Sequence, residues 1–335
     1  MQQGYVTLAH GAGGRQSARL IHDVFRGYLD NPHFTADDAA VMEVPAGRIA
    51  MSTDGFIVSP AEFPGGNVGK LSVCGTVNDL SCMGARPLYL TCSFVLEEGF
   101  SLETLDRIVA AMGKTAREVG VEVVAGDTKV AGKGQVDGCF ITTAGVGRVL
   151  DGVAPAGDKA VPGDAVIVTG DIGRHGCAIL LARNDFKIAA DVTSDCAPLW
   201  EGVERLLTAV PDTHVIRDAT RGGVGTVLYE LCDESGVGIR LDQEDIPVDD
   251  AVAGVCGMLG LDPLYLACEG RMVVTVPQGE EDAALEALRS SENTAGATLI
   301  GRVTDTHPGK VVIHTAIGSE AILPEPTGEL LPRIC

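Results

Sequence analysis

The chain has 335 residues, of which 45% are hydrophobic, and it carries a formal net charge of −21. This length predicts two domains, each with its own core. Nucleic acids and anionic membrane surfaces attract basic proteins, so binding to either is not expected of so acidic a chain. An uninterrupted apolar stretch of about 18 residues, which a membrane span requires, is absent from the sequence.

The cysteines and the start of the chain indicate where the protein works. The sequence begins without the basic segment and apolar run of a secretory signal. Ten cysteines lie in apolar segments, and no two have the CxxC spacing of a structural zinc site. Their setting favours small buried hydrophobic residues over a disulfide framework. We therefore expect a reduced, cytoplasmic protein.

Strand-like and helix-like segments alternate along the first half of the chain. Strands are predicted at 48–53, 88–96, 121–124 and 140–148. Between the second and third of these, Ser101 is the expected N-cap of a helix that ends at Gly120. Its apolar residues fall on one face of that helix: Leu102, Leu105, Ile108, Val109 and Met112.

A Gly/Pro/Asp-rich segment, 151–164, is the best candidate for a linker. Beyond it the pattern restarts, with predicted strands at 165–169, 214–217 and 271–276 and predicted helices at 198–210, 224–234 and 280–290. This alternation predicts an α/β or α+β fold in each half. The predicted units are residues 1–150, residues 151–315 and a flexible tail over 316–335.

Five aspartates suggest a polyphosphate site. Asp54, Asp127 and Asp218 are each expected to follow a strand, beside glycine or hydroxyl residues, and ligands of open α/β sheets bind at strand ends. Asp38 and Asp79 sit among apolar neighbours. Any one of them is more often a turn or N-cap residue. Five together are what several Mg²⁺ ions on a polyphosphate require.

Two glycine-rich segments remain ambiguous. Residues 64–71 (PGGNVGKL) resemble a P-loop but have Pro64 at the first glycine position and Leu71 where Ser or Thr should bind the metal. Residues 10–14 (HGAGG) are not a dinucleotide-binding GxGxxG. Either segment could still hold phosphate with backbone N–H groups at a helix start.

Other charged residues allow both a structural and a chemical interpretation. Glu269 is a charge in an apolar context, which is also typical of an ion pair with Arg271 at a strand end. His175 could be a helix cap or a proton shuttle. Lys129 directly follows the Gly126-Asp127-Thr128 segment. No histidine is grouped with other ligands at metal spacing, and GxSxG is absent, so neither a transition-metal site nor an esterase nucleophile is expected.

The chain ends on Cys335, in the sequence Leu331-Pro332-Arg333-Ile334-Cys335. A Pro/Gly-rich acidic segment precedes it, so the thiol is expected on a mobile, extended arm. Such an arm suggests covalent carriage of a small group. The alternative is a terminal cysteine without a function.

Taken together, the motifs resemble those of the HypE family of hydrogenase maturation factors. They are LAHGAGG, STDGFIVSP, PGGNVGKLSVCGTVNDLSCMGARPLYL, VVAGDTKV, RDATRGGV and the final PRIC. That family is similar to aminoimidazole ribonucleotide synthetase, selenophosphate synthetase and thiamine-monophosphate kinase. The resemblance implies a homodimer with an N-terminal β-barrel-like dimerisation domain and a C-terminal α/β domain. It also implies ATP and Mg²⁺ as cofactors, and the carbamoyltransferase HypF and the HypC–HypD complex as partners.

The resemblance implies an ATP-dependent carbamoyl dehydratase. HypF would load a carbamoyl group on Cys335, and dehydration would give a thiocyanate that supplies the cyanide ligand of the [NiFe]-hydrogenase iron. The catalytic residues it implies are Cys335, Glu269, Lys129 and His175. The nucleotide-binding residues it implies are Lys70, Asn78, Gly126, Asp127, Thr128, Arg221, Gly222 and Gly223. The metal ligands it implies are Asp38, Asp54, Asp79 and Asp218, with Asp37 as an alternative to Asp38.

Two alternatives stay open. One is another small-molecule phosphotransferase or synthetase of the same superfamily. A selenide chemistry is disfavoured because no cysteine precedes Cys74. The other is a non-catalytic thiol carrier or scaffold, although a single thiol makes a weak metal site. ATP hydrolysis that depends on a carbamoylated tail distinguishes these functions.

Overall fold

The computed structural model describes residues 4–12, 14–33, 39–183 and 187–325. Within these residues the helices are α1 (Leu8–Gly11), α2 (Gly14–Leu20), α3 (Gly27–Leu29), α4 (Val68–Cys82), α5 (Leu102–Val119), α6 (Arg174–Arg183), α7 (Trp200–Ala209), α8 (Gly223–Ser235), α9 (Asp250–Leu259) and α10 (Glu281–Arg289). A π-helical segment, Ile21–Arg26, joins α2 to α3. Short 3-10 turns are Gln243–Asp245, Pro263–Tyr265 and Glu292–Thr294.

The strands form two main sheets and a small hairpin. They are β1 (Ile49–Phe56), β2 (Glu62–Phe63), β3 (Gly66–Asn67), β4 (Ala85–Glu97), β5 (Glu122–Ala131), β6 (Cys139–Val149), β7 (Ala165–Val168), β8 (Val215–Asp218), β9 (Gly238–Asp242), β10 (Met272–Val276), β11 (Thr298–Thr304), β12 (Val311–His314) and β13 (Glu320–Ile322). The predicted mixed α/β class is confirmed.

The first sheet has the order β1-β6-β4-β5. β4 and β5 run parallel, and α5 connects them, whereas the other pairs are antiparallel. The Ser101 side chain caps α5 by accepting the N–H of Thr104 at 3.3 Å, and Gly120 ends it in the left-handed conformation. The predicted apolar face of this helix is buried throughout. This helix is confirmed as predicted.

Helix α4 packs against β1, β6 and α5, and almost all of its residues are buried. Because it is buried on nearly every side, with polar and apolar residues mixed around it, its sequence lacks the periodicity that marks an amphipathic helix, and the sequence analysis missed it. The Asn67 side chain begins the helix by accepting the N–H groups of Gly69 and Lys70, each at 3.0 Å.

The second sheet has the order β13-β12-β9-β11-β7-β10-β8, with β12 and β9 as a parallel pair. Its central strands are buried on both faces. Val166 of β7 packs in the apolar core that contains Leu228 of α8, whereas its neighbour Ile167 belongs to the core that contains Leu206 of α7. This layering explains why β7 and β10 are continuous apolar runs.

Two predicted strand ends are wrong. β1 continues through Asp54, which lies opposite Thr143 of β6. β5 continues through Asp127, which lies opposite Ser93 of β4. Backbone pairing with a longer neighbour extends each strand past the glycine at which the sequence suggested a turn. Asp218 is the last residue of β8, as expected.

The strands of the first sheet precede the predicted linker and those of the second follow it, while the domain limits themselves stay a prediction. Residues 320–322, in the predicted tail, form β13 and pair with β12. In the part of the chain that the structure describes, no helix is both long and apolar enough to cross a membrane.

Candidate active site

Three of the predicted metal ligands influence one another electrostatically. Asp54 lies on β1, Asp79 on α4 and Asp218 at the end of β8. Burial raises the pKa of Asp79, and the charge of Asp54 adds to the rise. Burial also raises the pKa of Asp218 to about 7, and the charge of Asp79 is the next cause. We refer to these three residues as the acidic cluster.

Small residues bring the strand and the helix of this cluster together. A Cβ atom at Gly75 of α4 would lie 2.6 Å from the Phe56 ring and 3.6 Å from Asp54 Oδ2. The Ser52 hydroxyl donates a hydrogen bond to Asp79 Oδ2 at 2.5 Å. β1 and α4 therefore place both carboxylates at one junction.

The chemistry of the acidic cluster suits Mg²⁺, which prefers carboxylate and phosphate oxygens. Carboxylates with raised pKa values gain from a nearby cation. Among the described residues, no group of three His, Cys, Asp or Glu side chains could hold a metal ion by itself. Asp38 and its alternative Asp37 lie outside the described residues. An ion here would need further oxygen ligands, such as those of a polyphosphate.

Glu269 is a buried carboxyl, 7% exposed, on which Asp218 and Asp54 of the acidic cluster act electrostatically. Burial raises the pKa of this side chain well above its usual value, and the nearby Cys196 thiol and Asp218 contribute next. Its main-chain N–H donates to Asp195 Oδ1 at 2.9 Å. In its ionised form, a positioned carboxylate with a raised pKa is a strong acceptor for a proton from a reacting group.

Asp195 is a residue of this region that the sequence analysis missed. It is 7% exposed, and its Oδ2 atom has no hydrogen-bond partner among the described residues. A Cβ atom at Gly270 would lie 2.0 Å from the Asp195 carbonyl oxygen, so the turn that carries Glu269 fits tightly against it. The sequence around it, Thr193-Ser194-Asp195-Cys196, resembles a loop with hydroxyl residues and gave no signal of burial.

Asn78, predicted to contact the nucleotide, has its amide engaged by the protein. The side chain is 3% exposed and accepts the N–H of Leu199 at 2.9 Å. Its Nδ2 donates to the carbonyl oxygens of Ala197 at 3.1 Å and Glu269 at 3.5 Å. These contacts give Asn78 a structural role at the junction of the two halves, and a nucleotide contact stays a prediction.

A cavity of about 290 Å³ lies along β5, and four predicted site residues line it, namely Gly126, Asp127, Thr128 and Lys129. His10 and Gly11 of the first glycine-rich segment close one side of it. A Cβ atom at Gly11 would lie 2.6 Å from the Val130 nitrogen, so only glycine allows this approach. Lys129 is 67% exposed, with Nζ 3.6 Å from Asp127 Oδ2.

Eight of the predicted residues therefore fall into two groups. One group lines the cavity along β5. The other consists of the acidic cluster and Glu269, and none of these four residues lines that cavity. β1, which carries Asp54, and β5, which lines the cavity, are the two edge strands of the first sheet.

The predicted residues Arg221, Gly222 and Gly223 follow β8 after two residues and lead into helix α8, whose first residue is Gly223. Gly222 and Gly223 have φ values of +76° and +63°. None of the described side chains caps this helix start. The Gly223 N–H already donates to the Thr220 carbonyl oxygen at 3.0 Å. The other N–H groups at this helix start can bind an anion, so the glycine loop (220–223), close to Asp218 along the chain, is a candidate phosphate site.

Lys70 is placed differently from a P-loop lysine. Its Nζ donates to the Gly65 carbonyl oxygen at 3.0 Å. The Asn67 side chain already accepts the N–H groups of Gly69 and Lys70. These backbone groups are therefore taken, and a phosphate contact of Lys70 rests on its ammonium group alone.

His175 is fully buried at the start of α6. Burial lowers its pKa to about 3, so the ring is neutral at physiological pH. Nδ1 lies 2.8 Å from Ser194 Oγ, and the Phe63 ring packs edge-on at 5.3 Å. These contacts favour a structural role, and its catalytic role stays a prediction. Cys335 lies outside the described residues.

Both halves of the chain match the AIR synthase related protein family. Its N-terminal domain matches residues 36–149 and its C-terminal domain matches residues 161–314. Over 334 residues the chain is 46% identical to the carbamoyl dehydratase HypE of Rhodobacter capsulatus, covering 98% of each protein. The chain belongs to the HypE family of carbamoyl dehydratases.

Solved HypE structures share this fold. The crystal structure of the hydrogenase maturation protein HypE in complex with ATP has a TM-score of 0.94 and 46% identity, covering 98% of this chain and 99% of that one. The HypE chain of a HypE–HypF complex has a TM-score of 0.81 and 44% identity, covering 92% of this chain and 99% of that one. HypE proteins are enzymes of hydrogenase maturation, and this chain is a member of that family.

Proposed function

We propose that this protein uses ATP to dehydrate a carbamoyl group carried on Cys335, which converts a thiocarboxamide into a thiocyanate. The observation that carries the proposal is the position of Glu269, a buried carboxyl that interacts with the acidic cluster, in a chain that also contains Cys335. The full-length similarity to carbamoyl dehydratases supports the same activity.

The reaction has two chemical steps. First, the amide oxygen of the thiocarboxamide attacks the γ-phosphorus of ATP, the bond to the bridging oxygen breaks, and ADP leaves. Then the C–O bond breaks and phosphate leaves while nitrogen loses its second proton, which forms the C≡N bond. In all, nitrogen gives up two protons, and the oxygen of the lost water leaves in the phosphate.

The protein's residues divide this work. N–H groups of the glycine loop other than that of Gly223 would bind phosphate oxygens, and Arg221 would add positive charge. Glu269 would accept a proton from nitrogen, and Lys129 would stabilise negative charge that develops in the reaction. Mg²⁺ held by the acidic cluster would supply charge neutralisation on the polyphosphate.

The proposal includes a homodimer that receives its carbamoyl group from HypF and passes the cyano group to HypC–HypD. β1 is an edge strand of the first sheet and carries exposed Ile49 and Met51, the latter 72% exposed. A paired second copy would cover such an edge. This surface is the predicted place of dimerisation in the N-terminal domain.

The test follows the mass of the C-terminal peptide in three samples: the protein alone, after incubation with HypF and its substrates, and after further addition of Mg-ATP. We expect a carbamoyl adduct on Cys335, which loses one water after ATP is added. Cys335→Ser should accept no carbamoyl group but still bind ATP. The other nine cysteines are buried and serve as internal controls for adduct specificity.

A second variant separates the steps. Glu269→Gln should be carbamoylated like the wild type, yet dehydrate the adduct at least about 100-fold more slowly, because a general base contributes a factor of that order. If the tail stays unmodified while ATP is hydrolysed, the dehydratase proposal is wrong and a kinase-like activity replaces it. If the adduct forms but ATP is not consumed, the protein is a thiol carrier.

A further inference from the structure

The last described residues are fixed to the second sheet. β13 pairs with β12, and the N–H of Leu323 donates to the Val311 carbonyl oxygen at 2.8 Å. The Leu323 side chain is 4% exposed and belongs to the apolar core around α8. The chain is thus held two residues before the end of the described segment.

Two buried tyrosines bind the chain at this point. The Tyr229 hydroxyl, on α8, donates to the Leu323 carbonyl oxygen, and the Tyr265 hydroxyl, on the Pro263–Tyr265 turn, donates to the Pro324 carbonyl oxygen. The two residues are 5% and 9% exposed. Burial raises the pKa of both, that of Tyr265 to about 12, so both hydroxyls remain protonated donors at neutral pH. We refer to this pair as the tail anchor.

Lys310 adds two contacts to the same point. Its Nζ lies 3.3 Å from Glu325 Oε2 and 5.8 Å from the centre of the Tyr229 ring. Both groups of the ion pair are about half exposed, so this contact is weak in water. The two tyrosine hydrogen bonds therefore add more to the hold on residues 323–324 than this ion pair does, alongside the backbone bond and the buried side chain of Leu323.

The tail anchor also touches the candidate phosphate site. A Cβ atom at Gly225 of α8 would lie 2.6 Å from the Tyr265 ring. A Cβ atom at Gly223 would lie 2.5 Å from the carbonyl oxygens of Leu264 and Leu266, the residues on either side of Tyr265. The turn that carries Tyr265 therefore packs directly on the glycine loop and the first turn of α8.

The position of the anchor sets the reach of the terminal thiol. Ten residues follow Glu325, and a chain of that length spans at most about 33–36 Å. If the start of the tail is fixed beside the phosphate site, the effective concentration of a group carried by the tail is high at that site. If the start of the tail moves, this effective concentration falls.

We propose that Tyr229 and Tyr265 are positioning residues that fix the origin of the tail next to the glycine loop, so that carbamoylated Cys335 reaches the ATP-bound site. This inference rests on the proposed function. Neither tyrosine would touch the reacting atoms. Loading by HypF, which meets the thiol outside this site, would not depend on the anchor.

The test compares Tyr229→Phe, Tyr265→Phe and the double variant with the wild type. Phenylalanine keeps the ring packing and removes only the hydroxyl. Tyr28→Phe is the matched control, since it removes a hydroxyl that donates to Asp106 Oδ2 at 3.0 Å in the first half of the chain. Each protein is loaded by HypF, and Mg-ATP then starts a single turnover. The mass of the C-terminal peptide is measured over time to monitor this turnover. Hydrogen exchange at the Leu323 amide and ATP affinity are measured alongside.

For each single variant we expect faster hydrogen exchange at the Leu323 amide and a dehydration rate about three- to tenfold lower. A decrease of this size corresponds to the net free energy of one hydrogen bond. The double variant should lose more, and loading and ATP affinity should match the wild type. Faster exchange with unchanged dehydration would overturn the inference, and so would slower dehydration with unchanged exchange. A wild type that never loses water would instead refute the proposed function, and the anchor's role with it.

Discussion

The side chain of Asn78 and the main chain of Leu199 join the two halves of the protein. The N–H of Leu199 donates to Asn78 Oδ1 at 2.9 Å, and Asn78 Nδ2 donates back to the Ala197 carbonyl oxygen at 3.1 Å. This pairing fixes α4, which carries Asp79, to the segment that also contains Asp195 and supports Glu269. The acidic cluster and the proposed base are therefore held in one frame.

Replacing Asn78 by alanine should destabilise this frame. The change leaves the Leu199 N–H without its partner in a buried site, which costs about 1–3 kcal/mol for each such group. We expect a lower denaturant midpoint for Asn78→Ala and a slower dehydration step. Asn293→Ala is the matched control, because its amide also bonds a carbonyl of this segment, Pro198, at 2.9 Å but is exposed. Equal midpoints for the two variants would contradict the structural role of Asn78.

Asp218 should make the stability of the protein without nucleotide depend on pH. Its pKa is raised from 3.8 to about 7, so between these values the folded state binds more protons than the unfolded state. The free energy of unfolding should therefore fall as pH rises from about 4 to about 7, by up to about 1.4 kcal/mol per pH unit from this group. The Asp218→Asn variant should lose this part of the slope.

Denaturant unfolding at several pH values, with and without Mg-ATP, checks the prediction. Exposed Asp158→Asn should keep the wild-type slope. Mg-ATP should flatten the slope of the wild type, because a cation near Asp218 lowers its pKa. If Asp218→Asn leaves the slope of the unfolding free energy against pH unchanged, the slope arises from other carboxyl groups.

Replacing Gly223 by alanine should destabilise the protein far more than the same replacement at an ordinary left-handed glycine. Gly223 and Gly236 have similar φ values, +63° and +68°. A Cβ atom at Gly236 meets nothing within 4 Å, whereas one at Gly223 would lie 2.5 Å from two carbonyl oxygens. We expect Gly236→Ala to cost about 1–2 kcal/mol of stability and Gly223→Ala clearly more, with weaker ATP binding. Thermal unfolding and nucleotide titration measure both, and equal losses would refute the close packing.

Lys129→Gln should slow dehydration without affecting the loading of Cys335. The lysine lines the cavity along β5, and its 3.6 Å approach to Asp127 is exposed and weak. Lys114→Gln is the control, since Lys114 makes a similar exposed contact with Glu118 at 3.6 Å. We expect the single-turnover rate to fall at least about tenfold for Lys129→Gln and to stay unchanged for Lys114→Gln. Similar rates for both variants would remove Lys129 from the mechanism.

Much of the architecture could be predicted because local signals report local structure. The N-cap Ser101, the left-handed Gly120 and the apolar face between them defined α5 correctly. Helical periodicity did not reveal α4, because a helix that is buried on nearly all sides has no exposed polar face. It also ended β1 and β5 too early, since pairing with β6 and β4 carries both strands past their glycines.

The sequence by itself determined the fold class, the family motifs and the terminal thiol, because these depend on residue types at fixed spacing. It could not decide which predicted residues meet. The tertiary structure brought Asp54, Asp79 and Asp218 into electrostatic contact with one another, and Asp54 and Asp218 with Glu269. It left these residues outside the cavity along β5 and turned the amide of Asn78 inward. It also joined Tyr229 and Tyr265 to residues 59 or more positions away. Such contacts arise from the packing of distant segments, which no local pattern encodes.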